Sequence, residues 1–265
     1  MKTLISHEVP LCLLEDSKTF NDYDYCLPHL LDKYFDYRNY FMEARHNGRF
    51  IIMDNGLFEG VTHTEEDLLY KINLIKPDIF IVPDEWNNPH ATYRNAKHWV
   101  NNIKPMLPET TNLMVVMQGK NTTEIHNLYN TCIDLGFKHF AFNHSSICYQ
   151  TIFNHPNKLV NQMLGRVSLI SEMIKNKTIH NTHYIHLLGA SLPQEFIFYQ
   201  WSEFQMIKSV DTSSPIVNGA LGITYNEYGL FSKPECKIEE FFEDNLDGQK
   251  EDIIFNINKF AEYVR

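Results

Sequence analysis

The chain has 265 residues, 43% hydrophobic and 21% charged, with 11 Gly and 11 Pro, which excludes disorder and collagen-like repeats and allows a core without metal or disulfide staples. A formal charge of −10 weighs against a protein that coats nucleic acid through bulk electrostatics. Five cysteines (Cys12, Cys26, Cys132, Cys148, Cys236), odd in number and without CxxC spacing, argue against a disulfide framework and for a reducing compartment.

The first residues carry one lysine, Lys2, and a short apolar run interrupted by His7, Glu8 and Pro10. The run is too short for a signal peptide or a membrane span, so a soluble, cytoplasmic protein is expected. A first strand is expected near Leu4 or Leu11. Apolar or β-branched runs then predict strands at Phe50 to Met53, Ile79 to Val82, Leu113 to Met117, His139 to Phe142, Tyr184 to Leu188 and Ile207 to Val210. Between them, helical periodicity predicts helices over about 65–75, 90–103, 123–135, 159–175 and 193–201. Thr64 followed by Asp67 marks an N-cap, and Gly136 sits where a glycine stops a helix. The last forty or so residues read as an irregular approach to a closing helix. No linker or internal repeat marks a domain boundary, so residues 1–265 are expected to form one domain. Strand–helix alternation at this length predicts an α/β fold, a (β/α)8 TIM-type barrel, with a doubly wound open sheet as the alternative.

Two segments depart from the acidic balance. Lys138 to His183 holds Lys138, Lys158, Arg166, Lys175 and Lys177 against Glu172 alone, 5 − 1 = +4, and Trp86 to Pro108 holds Arg94, Lys97 and Lys104 without an acid. Such segments are either solvated helix faces or a side that meets a polyanion. The acidic tail from Glu227 onward would not face a phosphate backbone.

Each strand run ends on a residue that a buried sheet would not choose: Asp54, Asp84, Gln118, Asn143, Gly189 and Asp211. In a parallel barrel these positions share the rim where active sites are assembled. Three carboxylates together predict at least one raised pKa. Such a set suits glycosyl chemistry, with one carboxylate at the anomeric carbon and another moving a proton. Gln118 and Asn143 suit the edge of a planar heterocycle. Phe58 and Phe142 are candidates to sandwich the ring, although aromatics on barrel strands are more often core.

Several of these runs resemble motifs of the tRNA-guanine transglycosylases. Asp54-Asn55-Gly56-Leu57-Phe58 resembles their Asp-Ser-Gly-Gly-Phe, Val82-Pro83-Asp84-Glu85 their strand-end aspartate motif, and Val116-Met117-Gln118-Gly119 their Val-Gln-Gly. His186-Leu187-Leu188-Gly189 resembles their Leu-Met-Gly, and Asp211-Thr212-Ser213-Ser214 falls where their nucleophile stands. The Asp-Asn-Gly and Asp-Thr-Ser-Ser variants resemble most the branch that acts on DNA, the 7-deazaguanine DNA transglycosylases (DpdA-like) of phages and bacteria. The family's zinc site is not matched: only Cys236 lies beyond Asp211, and the last histidine is His186. His180, His183 and His186 are the remaining metal suspects, and none is expected to hold one.

The resemblance implies a pentosyltransferase that exchanges guanine in DNA for a free 7-deazaguanine base, most simply 7-cyano-7-deazaguanine, with no cofactor. It assigns Asp211 as nucleophile and Asp54 as acid/base. Asp84, Gln118, Asn143, Gly189, Phe58, Asn55 and Phe142 are its substrate-binding residues. It implies a cytoplasmic site of action, the host's if the protein is phage-encoded, and leaves room for a helper nucleic-acid protein. Transfer RNA is the alternative polymer. A glycoside hydrolase and a non-catalytic nucleic-acid-binding subunit are alternatives from other classes, distinguished by hydrolysis without an incoming base and by salt-steep binding without base release.

Overall fold

The computed structural model describes residues 3–58, 60–190 and 192–265; Lys2 lies outside them. The strands are β1 (Leu4–Ser6), β2 (Asp24–Cys26), β3 (Ile51–Met53), β4 (Ile79–Ile81), β5 (Asn112–Val116), β6 (His139–Asn143), β7 (Tyr184–Leu188) and β8 (Ile207–Asp211). The α-helices are α1 (Leu14–Phe20), α2 (Leu30–Lys33), α3 (Phe35–His46), α4 (Glu65–Ile75), α5 (Pro89–His98), α6 (Thr122–Asp134), α7 (Ile147–Ile152), α8 (Lys158–Lys175), α9 (Ser214–Ala220) and α10 (Lys250–Val264).

The sheet order is β1-β8-β7-β6-β5-β4-β3-β2. The order runs monotonically from β2 to β8, and β1 then pairs in parallel with β8, Ser6 opposite Asp211. A doubly wound sheet reverses its strand order at a switch point; this one does not, and the fold is the (β/α)8 TIM type. Two compact units divide the chain, Met1–Asp22 with Phe142–Arg265, and Tyr23–Ala141.

In the unit Tyr23–Ala141, β2 through β5 pair in parallel, and Met114 to Val116 pair with His139 to Ala141. Their apolar residues are buried, as expected of strands covered on both faces. Thr64 caps α4 by accepting from Asp67 N, and Asn88 and Asn121 cap α5 and α6 in the same way. Gly136 stops α6 at φ +91°, a conformation that favours glycine. The helix expected over 90–103 changes its hydrogen bonding at Trp99, where a π-helical turn (Trp99–Ile103) follows α5. Trp99 is buried there with its ring 4.8 Å from Phe80.

In the other unit, β7 pairs with β8, and the register shifts between Ile185 and His186. Helices α7 and α8 pack with no room for a side chain at Gly165, where a Cβ would lie 2.4–2.6 Å from Tyr149 Cβ, O and Cα. The Gly165→Ala variant is expected to lose about 1–3 kcal/mol from overpacking, which outweighs a helix-propensity gain of about 1 kcal/mol. Thermal unfolding checks this, and an unchanged Tm would mean that the helices part without cost. The segment expected as a helix over 193–201 is instead a 3-10 helix, Pro193–Gln200. Helix α10 is the expected closing helix, preceded by irregular chain. Among the described residues no helix is long and apolar enough to cross a membrane.

Candidate active site

All six strand-end residues lie where their strands finish. Asp54 directly follows β3, Asp84 follows β4 by three residues and Gln118 follows β5 by two. Gly189 directly follows β7, while Asn143 and Asp211 are the last residues of β6 and β8. In TIM-type folds this is the end that carries chemistry.

In the unit Tyr23–Ala141, Asp84 sits between two side-chain amides. Asn55 Nδ2 donates to Asp84 Oδ1 at 2.7 Å and also to Val82 O, and Gln118 Nε2 donates to Asp84 Oδ2 at 2.6 Å. Gln118 Oε1 in turn accepts from Asn87 N at 3.0 Å. Burial raises the Asp84 carboxyl above the usual range, and the Gln118 and Asn55 amides pull the other way. Asn55 Oδ1 accepts from Leu57 N, closing an Asx turn that Gly56 completes at φ +81°. Asp54 is buried, with its backbone N–H on Cys26 O, and Phe58 is 49% exposed.

A brace under this loop was not foreseen from sequence. A Cβ on Gly56 would lie 3.1 Å from His63 Nε2. His63 Nδ1 lies 2.6 Å from Asp67 Oδ2, and the buried Lys71 Nζ binds Asp67 at 2.8 Å and Asp32 at 2.6 Å. Burial lowers the His63 pKa against the upward pull of the Asp67 carboxylate.

In the other unit, Asp211 is buried and takes two contacts on one oxygen. Gly189 N donates to Oδ1 at 3.2 Å, and His186 Nε2 lies 3.0 Å from the same atom in a bent approach. Gly189 holds φ +66°, and a Cβ there would lie 2.7 Å from His144 Nδ1. His144 is pushed down to about 3 by burial and by the Lys233 and Arg166 charges, so its ring is uncharged. Asn143 is buried with neither Oδ1 nor Nδ2 hydrogen-bonded. A buried amide so placed costs about 1–3 kcal/mol per unmet group. Phe142 is wholly buried. The side chain is core, and what it presents is its carbonyl, bound to Arg166.

Arg166 corrects the charge reading of its segment, because it belongs to no surface. It is fully buried in a two-point pair with Glu195 (Nε to Oε1 2.6 Å, Nη2 to Oε2 2.9 Å). It also donates to the carbonyls of Phe142, Leu188 and Gly189, where β6 and β7 end. The exposed basic residues of the segment are Lys138, Lys158, Lys175 and Lys177. Of the histidines raised as metal suspects, His180 and His183 stack edge-on before β7, with ring centroids 5.1 Å apart, while His186 lies within the strand. Among the described residues no three His, Cys, Asp or Glu side chains are grouped to hold a metal ion.

Compared with known proteins, the sequence matches no family model and no curated protein.

Proposed function

We propose that the chain exchanges guanine in DNA for a free 7-deazaguanine base, such as 7-cyano-7-deazaguanine, through a covalent glycosyl-aspartate on Asp211. The observation that carries this reading is the hydrogen-bonding capacity left at Asp84 and Gln118. A carboxylate accepts at about four lone-pair sites and a carboxamide donates two protons. Asn55 and Gln118 occupy one site on each Asp84 oxygen, and Asp84 takes one Gln118 proton. Apart from the contact of the carboxylate with its own backbone N–H, two acceptors and one donor remain, the complement of the guanine edge, whose 2-amino and N1 donate and whose 6-oxo accepts. Adenine would set its N1 lone pair against a carboxylate and leave buried groups unpaired.

An Asp211 oxygen bonds to C1′ as the bond from C1′ to the guanine nitrogen breaks, and Asp54 gives that nitrogen a proton. Asp54 then takes the proton from the five-membered-ring nitrogen of the incoming base. That nitrogen displaces Asp211 from C1′ and restores the free carboxylate. The target nucleotide has to leave the stack first. Asn143, with both amide ends unmet, is assigned to the 7-substituent, and the exposed Phe58 to stacking on the base.

The deciding experiment incubates the protein with 7-cyano-7-deazaguanine and either duplex DNA or tRNA, digests each polymer and identifies the nucleosides by mass. A deazaguanine deoxynucleoside is expected. A ribonucleoside would move the substrate to tRNA, and no modified nucleoside from either polymer would overturn the reading.

A pH dependence follows from Asp84. Only its carboxylate form offers both acceptors, and its pKa is raised by burial, so protons compete with the base. Affinity for 7-cyano-7-deazaguanine is therefore expected to be full above the raised pKa and to fall as pH drops through it. Calorimetric titration at a series of pH values tests this, and affinity that holds or improves on acidification would remove Asp84 from the base edge.

A further inference from the structure

Two strands in one unit carry polar side chains at alternate positions, Tyr184 and His186 on β7, Ser209 and Asp211 on β8. The pairing sets His186 opposite Ser209 and Leu188 opposite Asp211. That phase depends on the register shift: Ile185 pairs with Ile207 while His186 pairs with Ser209, so Lys208 is an extra residue on β8. Without it, His186 would face Lys208, and such bulges recur beside active sites, where they re-aim side chains. Tyr184 OH donates to Ser209 Oγ at 2.9 Å, Ser209 Oγ lies 2.8 Å from His186 Nδ1, and His186 Nε2 lies 3.0 Å from Asp211 Oδ1.

We infer that His186 is a positioning residue: Ser209 and Tyr184 hold it as the Nε2–H tautomer, which sets its N–H dipole beside Asp211 Oδ1 and leaves Oδ2 to attack. An unprotonated Nε2 would set electron density 3.0 Å from a carboxylate oxygen, unfavourable even out of line, so the proton belongs on Nε2 and Nδ1 accepts. The Ser209 oxygen takes the Tyr184 proton and turns its own toward Nδ1. Gly189 N–H donates to Oδ1, and Nε2 lies against the same oxygen without a straight hydrogen bond. The bent approach of Nε2 is of the kind that straightens when substrate fills a site. The role of Oδ2 rests on the transglycosylase reading; the tautomer does not.

The test has two arms on the full chain. Nitrogen-15 NMR of histidine-labelled protein, with the His186 signals assigned by their loss in His186→Gln, reads the tautomer. The expected result is Nε2–H in the unaltered chain and a mixture of tautomers in Ser209→Ala; Nδ1–H in the unaltered chain, or no change in Ser209→Ala, overturns the inference. In the second arm, His186→Leu is expected to lower kcat of base exchange by about a hundredfold, the scale of a misplaced reacting group, with KM for the base little changed. His186→Gln, whose amide nitrogen reaches the Nε2 position, should recover part of the loss. Equal rates for Leu and Gln overturn the positioning role. Absence of exchange in the unaltered protein would instead strike the transglycosylase reading, leaving the tautomer to be judged by the spectra.

Discussion

Asp211→Asn is expected to abolish base exchange and, with it, the covalent protein–DNA adduct that a denaturing gel resolves when the incoming base is withheld. The substitution keeps the shape of the side chain and an acceptor for Gly189 N, so the fold should survive. It removes the anionic oxygen that has to bond to C1′. Loss of a covalent nucleophile is among the largest single-residue effects in catalysis, on the order of 10⁴–10⁶ in rate. Turnover within tenfold of the unaltered chain would dismiss Asp211 as the nucleophile and would favour a carboxylate elsewhere, Asp54 first.

Asp84→Asn is the second large effect, and it falls on selection of the base. Two amides aim their protons at the two Asp84 oxygens, Asn55 at one and Gln118 at the other. An asparagine offers one oxygen and one NH₂, so one of those amides would meet another donor, and the guanine edge would lose an acceptor too. We expect kcat/KM for guanine exchange to fall by about 10²–10⁴, in the range that follows when a polar site loses its match. Preference for guanine over other purines should fall with it. Competition between bases, read by nucleoside mass after digestion, measures both. Undiminished selectivity would place base reading elsewhere in the chain.

What the sequence made legible follows from where its signals are local. Apolar runs closed by a residue a buried sheet would not choose located six strands and all six strand-end residues, five polar side chains and Gly189, because burial on both faces and the change at the strand end are written in consecutive residues. Helix α4 was equally plain, since Thr64 and Asp67 form its cap within one turn. Strand β2 was missed: it is three residues long and opens on an aspartate, whose oxygens bind Arg49 and Tyr40. Helix α3 was missed although its buried residues, Tyr37, Tyr40, Phe41 and Ala44, have helical spacing. Their aromatic character favours strands, and no side chain caps the helix start. The contacts around the site were out of reach for a different reason. His186 and Ser209 are 23 residues apart, and Arg166 and Glu195 are 29 apart. The alternation of Tyr184 with His186, and of Ser209 with Asp211, was the available clue.

The Arg166–Glu195 pair constrains how this protein can change over generations. One guanidinium ties three carbonyls at two strand ends and neutralises one carboxylate that also accepts from Tyr199 OH, and both partners have no exposed surface. Removing either alone leaves a buried charge uncompensated, at a cost of about 3–5 kcal/mol, a large part of the stability of an ordinary domain. Every one-step path away from the pair therefore passes through a damaged ancestor. Descendants should keep both residues or exchange both together, while the exposed lysines nearby drift freely.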